Sequence, residues 1–149
     1  MINMKQQKTI LLVEDDANDV ELTTMALTES NISNPIVVVR DGQEALDYLY
    51  CQNDYVDRVK GNPVAVLLDL KMPKVTGYEV LDKVKKDDNL KSIPIIIMTS
   101  SKEEKDLVQC YNDGANAYVV KPVDFEQFTE SVKRLGLFWA VVNELPSQE

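Results

Sequence analysis

The chain has 149 residues, 44% of them hydrophobic and 28% charged, values that suit one soluble domain with a real core. Its formal net charge of −9 argues against nucleic-acid binding, because a phosphate backbone demands an excess of Lys and Arg. It contains no histidine, which excludes Ser-His-Asp and Cys-His nucleophilic sites and histidine metal ligands.

No apolar stretch approaches the length of a membrane span, and no charged-then-apolar leader is visible, so the expectation is a cytoplasmic protein away from membranes. Cys51 and Cys110 lack metal-ligand spacing and read as free, partly buried thiols in a reducing compartment. Residues 1–7 read as a frayed polar lead-in, 8–135 as the domain, and 136–149 as an aromatic extension and tail.

Five apolar, β-branched runs alternate with amphipathic stretches, the βαβ pattern of a parallel sheet covered on both faces. The first strand is expected over Lys8 to Val13. A helix then starts near Asp16 or Ala17, with Val20, Leu22, Met25, Ala26 and Leu27 as its apolar positions. The second strand is Ile36 to Val39. The helix after Arg40-Asp41-Gly42 turns Ala45, Leu46, Leu49 and Tyr50 inward. The polar stretch from Gln52 to Pro63 is the longest connection and the expected exposed loop. Val64 to Asp69 form the third strand, and the helix after Gly77 buries Val80, Leu81 and Val84 and ends at Lys85-Lys86, cations that suit a helix C-terminus. Ile95 to Thr99 form the fourth strand, followed by a helix from about Lys102 to Tyr111 that stops at Asn112-Asp113-Gly114. Ala117 to Val120 form the fifth strand. The last helix has Asp124 as N-cap and carries Phe125, Phe128, Val132 and Leu135. Right-handed crossovers make this an α/β, doubly wound five-stranded parallel sheet of flavodoxin-like order 2-1-3-4-5.

The carboxyl ends of such strands share the ligand-binding edge. Four of them end in chemistry: Glu14-Asp15 after the first strand, Asp69 after the third, Thr99-Ser100-Ser101 after the fourth, and Lys121-Pro122 after the fifth. Glu14, Asp15 and Asp69 would repel one another unless a cation intervened. A hard divalent ion, Mg²⁺ or Mn²⁺, suits them, with Asp15 and Asp69 as direct ligands, Glu14 acting through water and the Lys71 main-chain carbonyl as a third protein ligand. A plainer reading makes the acids around residue 15 a solvated helix start stabilised by the helix dipole, but that leaves a carboxylate at the end of an apolar strand unexplained. An ionised Asp69 can attack phosphorus without a base. Lys121, kept out of helical geometry by Pro122, can neutralise phosphoryl oxygens, and Thr99 can donate its hydroxyl. The plainer readings are a snorkelling surface lysine and a threonine that caps the fourth helix.

The set Val13-Glu14-Asp15-Asp16, Leu67-Leu68-Asp69-Leu70-Lys71-Met72-Pro73 with Gly77, Met98-Thr99-Ser100, and Ala117-Tyr118-Val119-Val120-Lys121-Pro122 resembles the receiver domain of bacterial two-component response regulators over residues 8 to 135. The resemblance implies that Asp69 is the phosphoacceptor, Glu14 and Asp15 the acidic pocket, Thr99 the switch hydroxyl, Lys121 the phosphate-contacting lysine and Tyr118 the aromatic switch. It also implies a sensor histidine kinase as partner, since the phosphohistidine must come from another protein. The Gln52 to Pro63 loop and the Gly136-Leu137-Phe138-Trp139 tail are similar to regulators that serve phytochrome kinases. Tyr118 has a plainer reading as a half-buried anchor on an edge strand.

Phe125, Phe128, Val132, Leu135 and Trp139 recur at helical spacing, and Phe138 and Trp139 lie past a finished core. They are expected to form a partner or homodimer surface, with the fourth helix, fifth strand and fifth helix as the other candidate face. Two other functions compete with a stand-alone phosphorylation switch. A dehalogenase-like hydrolase would need a second acid two residues after Asp69, where Lys71 stands, and a non-phosphorylated docking module would not need the full set of acids, hydroxyl and lysine.

Overall fold

The computed structural model describes residues 9–30, 32–122 and 124–134, with backbone alone at 125 and 131–134. Five strands, β1 (Ile10–Val13), β2 (Ile36–Val39), β3 (Ala65–Asp69), β4 (Ile95–Thr99) and β5 (Ala117–Val120), alternate with α1 (Ala17–Glu29), α2 (Gly42–Tyr50), α3 (Gly77–Lys86), α4 (Glu104–Asn112) and α5 (Phe125–Arg134). All pairs are parallel and the order is β2-β1-β3-β4-β5, as the alternation of apolar runs and helices requires.

The central strands are buried along their whole length, and side-chain alternation splits the core in two. Leu11, Val13, Val66, Leu68, Ile95 and Ile97 face α2, α3 and α4, where they meet Ala45, Leu49, Val80, Leu81, Val84 and Cys110. Ile10, Leu12, Leu67, Ile96, Met98 and Val119 face the other way, onto Ala26, Leu27 and Phe128 of α1 and α5.

Four of the five helix starts, all but that of α4, have a side-chain cap. Asp16 accepts from the Asp19 N–H at 3.0 Å, Asp41 from that of Glu44 at 2.8 Å, and Asp124 from that of Gln127 at 2.8 Å. Thr76 and Glu79 make a reciprocal capping box on α3. Gly114, at φ 106°, supplies the left-handed turn after α4. Gly77 is required by space, because a Cβ there would lie 2.2 Å from the Asp69 carbonyl oxygen.

Several expectations need correction. In α1, Leu22 and Met25 are 41% and 50% exposed; the inward stripe is Thr23, Ala26 and Leu27, and a threonine takes a place assigned to apolar residues. In α2, Tyr48 is buried as well, because the loop after it folds back. That loop has a 3₁₀ turn at Asn53–Tyr55 and is tied down by Tyr55 Oη donating to Glu44 at 2.6 Å and Arg58 Nε donating to the Tyr48 carbonyl at 2.7 Å. Helix α4 starts at Glu104, later than expected, because the Ser101 hydroxyl holds the Glu103 N–H at 3.2 Å in the preceding turn. Lys85 and Lys86 do lie in the last turn of α3, and Lys85 also donates to the carbonyls of Lys91 and Ile93 at 3.0 and 2.8 Å. Both cysteines are free thiols, Cys110 buried and Cys51 half-buried. No helix among the described residues is long and apolar enough to cross a membrane. The expected lead-in at 1–7 and the Phe138-Trp139 surface lie outside the described residues.

Candidate functional site

Strand register assembles the site. Val13 pairs with Leu68, so the next residues, Glu14 and Asp69, leave adjacent strands side by side. Thr99 pairs with Val120, and the Lys121 N–H donates to the Thr99 carbonyl at 2.8 Å, which carries the ladder one residue further. Alternation then sorts the side chains. Glu14, Asp69 and Lys121 continue the parity of Leu12, Leu67 and Val119, toward α1 and α5, while Thr99 and Tyr118 continue that of Ile97, toward α4.

Lys121 is the hub, and its peptide bond to Pro122 is cis. Its ammonium lies 2.6 Å from Glu14 Oε1, 3.0 Å from Asp19 Oδ2 and 3.5 Å from Asp69 Oδ2, with 9% of the side chain exposed. The snorkelling reading therefore fails. Glu14 is wholly buried, and its Oε2 accepts the Asp16 N–H at 3.1 Å. Glu14 Oε1 makes no aligned hydrogen bond, so the Lys121 ammonium meets it as an ion pair rather than as an aligned donor. Asp69 is 6% exposed, and its Oδ1 receives a long 3.5 Å bond from the Lys71 N–H.

Burial pushes both carboxyls above the usual carboxylate range. For Glu14 the Asp69 charge adds to the rise and the Lys121 ion pair opposes it; for Asp69 Lys121 likewise opposes it and Asp15 adds to it. Burial alone would push the Lys121 ammonium down, but the Glu14 and Asp19 carboxylates and the Asp69 charge outweigh it and hold it above the ordinary lysine range. These are the marks of a site short of positive charge.

Carboxylate oxygens of Glu14, Asp15 and Asp69 all lie within 4.8 Å of one another, with Asp15 exposed at the mouth. Such a donor set, all hard oxygen with one buried atom lacking an aligned partner, fits a small divalent cation better than a soft metal. Asp16, not Glu14 or Asp15, is the side chain that caps α1, so the helix-start reading accounts for only one of the three acids.

Thr99 is 1% exposed and does not cap α4, whose N-cap is Glu103; its hydroxyl accepts the Ser101 N–H at 3.2 Å. Tyr118 is half-buried against the core on edge strand β5, and its hydroxyl donates to the Ser101 carbonyl at 3.2 Å. Ser101 Oγ donates to Asp106 Oδ2 at 2.6 Å, and Tyr78 Oη donates to Asp106 Oδ1 at 3.0 Å. These two bonds hold the Asp106 carboxyl below its ordinary range.

Residues 10–133 match the family described as the response regulator receiver domain. The chain is 34% identical to response regulator Rcp1 of Synechocystis sp. over 94% of both proteins. The chain belongs to the response regulator receiver family. It is also 36% identical, over 92% of this chain and 86% of the relative, to a protein of Methanothrix harundinacea named a probable methanogenesis regulatory protein, FilR2. Among solved structures, the bacteriophytochrome response regulator RtBRR is 56% identical with a TM-score of 0.84, over 93% of this receiver and 84% of that chain. The Mn(2+)-bound form of Rcp1 is 32% identical with a TM-score of 0.72, over 94% of this receiver and 97% of that chain. A receiver is a response regulator with a phosphorylatable aspartate and not an enzyme in the ordinary sense.

Within this receiver every candidate expected at the edge, Glu14, Asp15, Asp69, Thr99, Tyr118 and Lys121, comes from the carboxyl end of a strand or within it. Asp19 was missed by sequence reasoning. No local pattern singled it out, since Asp19 reads as an ordinary acid in the first turn of α1. The link from Ser101 through Asp106 to Tyr78 was also missed, because it joins three segments that no local pattern connects.

Proposed function

We propose that the protein is a phosphorylation switch in which Asp69 accepts a phosphoryl group from the phosphohistidine of a sensor histidine kinase and the altered surface signals by protein contact. The observation that carries this reading is the convergence of the Glu14, Asp15 and Asp69 carboxylates within 4.8 Å of one another, with Asp15 at the mouth and the buried Lys121 ammonium against the other two. In the transfer the P–N bond of the kinase phosphohistidine breaks and a bond from phosphorus to an Asp69 carboxylate oxygen forms. Asp69 acts as the ionised nucleophile, which Lys121 favours by lying 3.5 Å from it. Lys121 then donates to the phosphoryl oxygens, and the Thr99 hydroxyl exchanges the Ser101 N–H for the new acceptor. Loss of that bond releases the segment to which Tyr118 is tied, two packings of one element.

Asp15, Asp69 and the Lys71 main-chain carbonyl would hold Mg²⁺, or Mn²⁺ in its place, with Glu14 acting through water. The ion supplies charge neutralisation for the incoming phosphoryl group. The Mn(2+)-bound form of Rcp1 supports a divalent ion of this class. The likeness to bacteriophytochrome response regulators supports a phytochrome-type kinase as donor. A cytoplasmic location agrees with two thiols left unpaired. Residues 8–135 act as the receiver unit, and Phe138 and Trp139 serve as an interface or homodimer surface, on the strength of aromatic spacing past the core.

The test is intact mass after incubation with Mg²⁺ and acetyl phosphate, native protein beside Asp69→Asn. One phosphoryl adduct that needs Mg²⁺ and is absent in the variant is expected. An adduct retained in Asp69→Asn, or neither an adduct nor a beryllofluoride complex in the native protein, would overturn the assignment.

A further inference from the structure

Lys121 has three acidic neighbours, and the acceptor reading uses only two of them. The third, Asp19, belongs to the first turn of α1, where its own N–H is held by Asp16 at 3.0 Å. That bond fixes the backbone from which the Asp19 carboxylate reaches across to β5. Its Oδ2 takes a hydrogen bond from Lys121 Nζ at 3.0 Å, shorter than the 3.5 Å between that ammonium and Asp69. The ammonium is therefore drawn to the α1 side of the site and away from the acceptor.

An ammonium has three N–H donors. Once a phosphoryl group stands on Asp69, the ammonium, now 3.5 Å from that residue, must move toward it, and its contact with Glu14 or with Asp19 must lengthen. Glu14 is the costly one to abandon, since its side chain is 0% exposed and would be left as a buried carboxylate with no counter-charge. The Asp19 side chain is 27% exposed, so water can replace the lysine there.

We infer that Asp19 is a positioning residue that competes with the phosphoryl group for Lys121 and so limits how firmly the site holds its phosphorylated state. This rests on Asp69 as acceptor. The competition sets a bias: a stronger hold on Lys121 by α1 means a weaker grip on the phosphoryl oxygens. It also couples α1 to the site, since any partner that draws Asp19 away leaves Lys121 free to serve the phosphoryl group.

The experiment is a titration with beryllofluoride in saturating Mg²⁺, read by intrinsic fluorescence of the full chain. Asp19→Asn removes the competing charge and is expected to tighten beryllofluoride binding about three-fold, the yield of a part-exposed ion pair. Asp19→Glu, which keeps a carboxylate within reach, is expected to return to the native affinity. In a Lys121→Met background the Asp19→Asn change is expected to have no effect, because the competition acts through the lysine. Unchanged or weaker binding in Asp19→Asn overturns the inference. So does an equal tightening in the Lys121→Met background, which would mean simple repulsion between Asp19 and the anion. Native protein that takes no beryllofluoride overturns instead the acceptor reading on which the inference rests.

Discussion

Lys121→Met removes the one cation within hydrogen-bonding distance of Glu14 among the described residues and leaves a side chain of similar length. Glu14 is wholly enclosed and Asp69 is 6% exposed, so the variant has two buried carboxylates, with Asp15 nearby, and no ammonium to offset them. Breaking a buried ion pair by removing one partner costs 3–5 kcal/mol in general. The low end, about 3 kcal/mol, applies here because the mouth at the exposed Asp15 lets water approach. The effect has a pH signature. The Glu14 carboxyl already stands above its ordinary range in the folded protein, and without Lys121 it loses the ion pair that pulled it down. A carboxyl whose folded pKa exceeds its unfolded value favours the fold in its protonated form; that contribution is present below the unfolded value and is lost as pH rises through the folded one. The destabilisation is therefore expected to be largest at pH 8 and to shrink toward pH 5, as Glu14 or Asp69 takes up a proton. Urea unfolding of native and variant protein at both pH values, in EDTA to remove divalent ions, measures it. A loss under about 1 kcal/mol at pH 8, or equal losses at the two pH values, would refute the account of the site as short of positive charge.

Gly77→Ala places a Cβ 2.2 Å from the Asp69 carbonyl oxygen and 2.6 Å from the Leu70 Cα, so backbone must move, at a cost of about 3 kcal/mol. Lower stability together with reduced Mg²⁺-dependent phosphoryl uptake is expected; a variant as stable as native with normal uptake would dispose of the proposed close approach. Burial, with Asp106 and Asp113 adding, pushes the Cys110 thiol up to about 11, so at pH 8 about one molecule in a thousand carries the thiolate there. Iodoacetamide is then expected to add one group to the native protein, at the half-buried Cys51, and two only after unfolding, as read by mass. Two additions under native conditions would contradict the enclosure of Cys110.

The strands were plain in the sequence because a parallel sheet buried on both faces leaves unbroken Val, Ile and Leu runs; β2, β4 and β5 fall within the expected bounds to the residue. The site acids, the hydroxyl and the lysine were legible for the same reason, as polar residues that end such runs. What α1 buries was not legible. Its apolar residues span too wide an arc to choose a face, and packing chose Thr23, Ala26 and Leu27 over Leu22 and Met25. Sequence alone thus determined the strand order, the edge and the chemistry available there, since these follow from local pattern and the handedness of crossovers. Only the tertiary structure decided which charges meet. That Lys121 lies nearer to Asp19 than to Asp69, and that Ser101 joins Thr99 and Tyr118 to Asp106 and Tyr78, depends on distances of a few tenths of an ångström. Those distances are set by how helices far apart in the chain seat on the sheet, and no periodicity of residues encodes them.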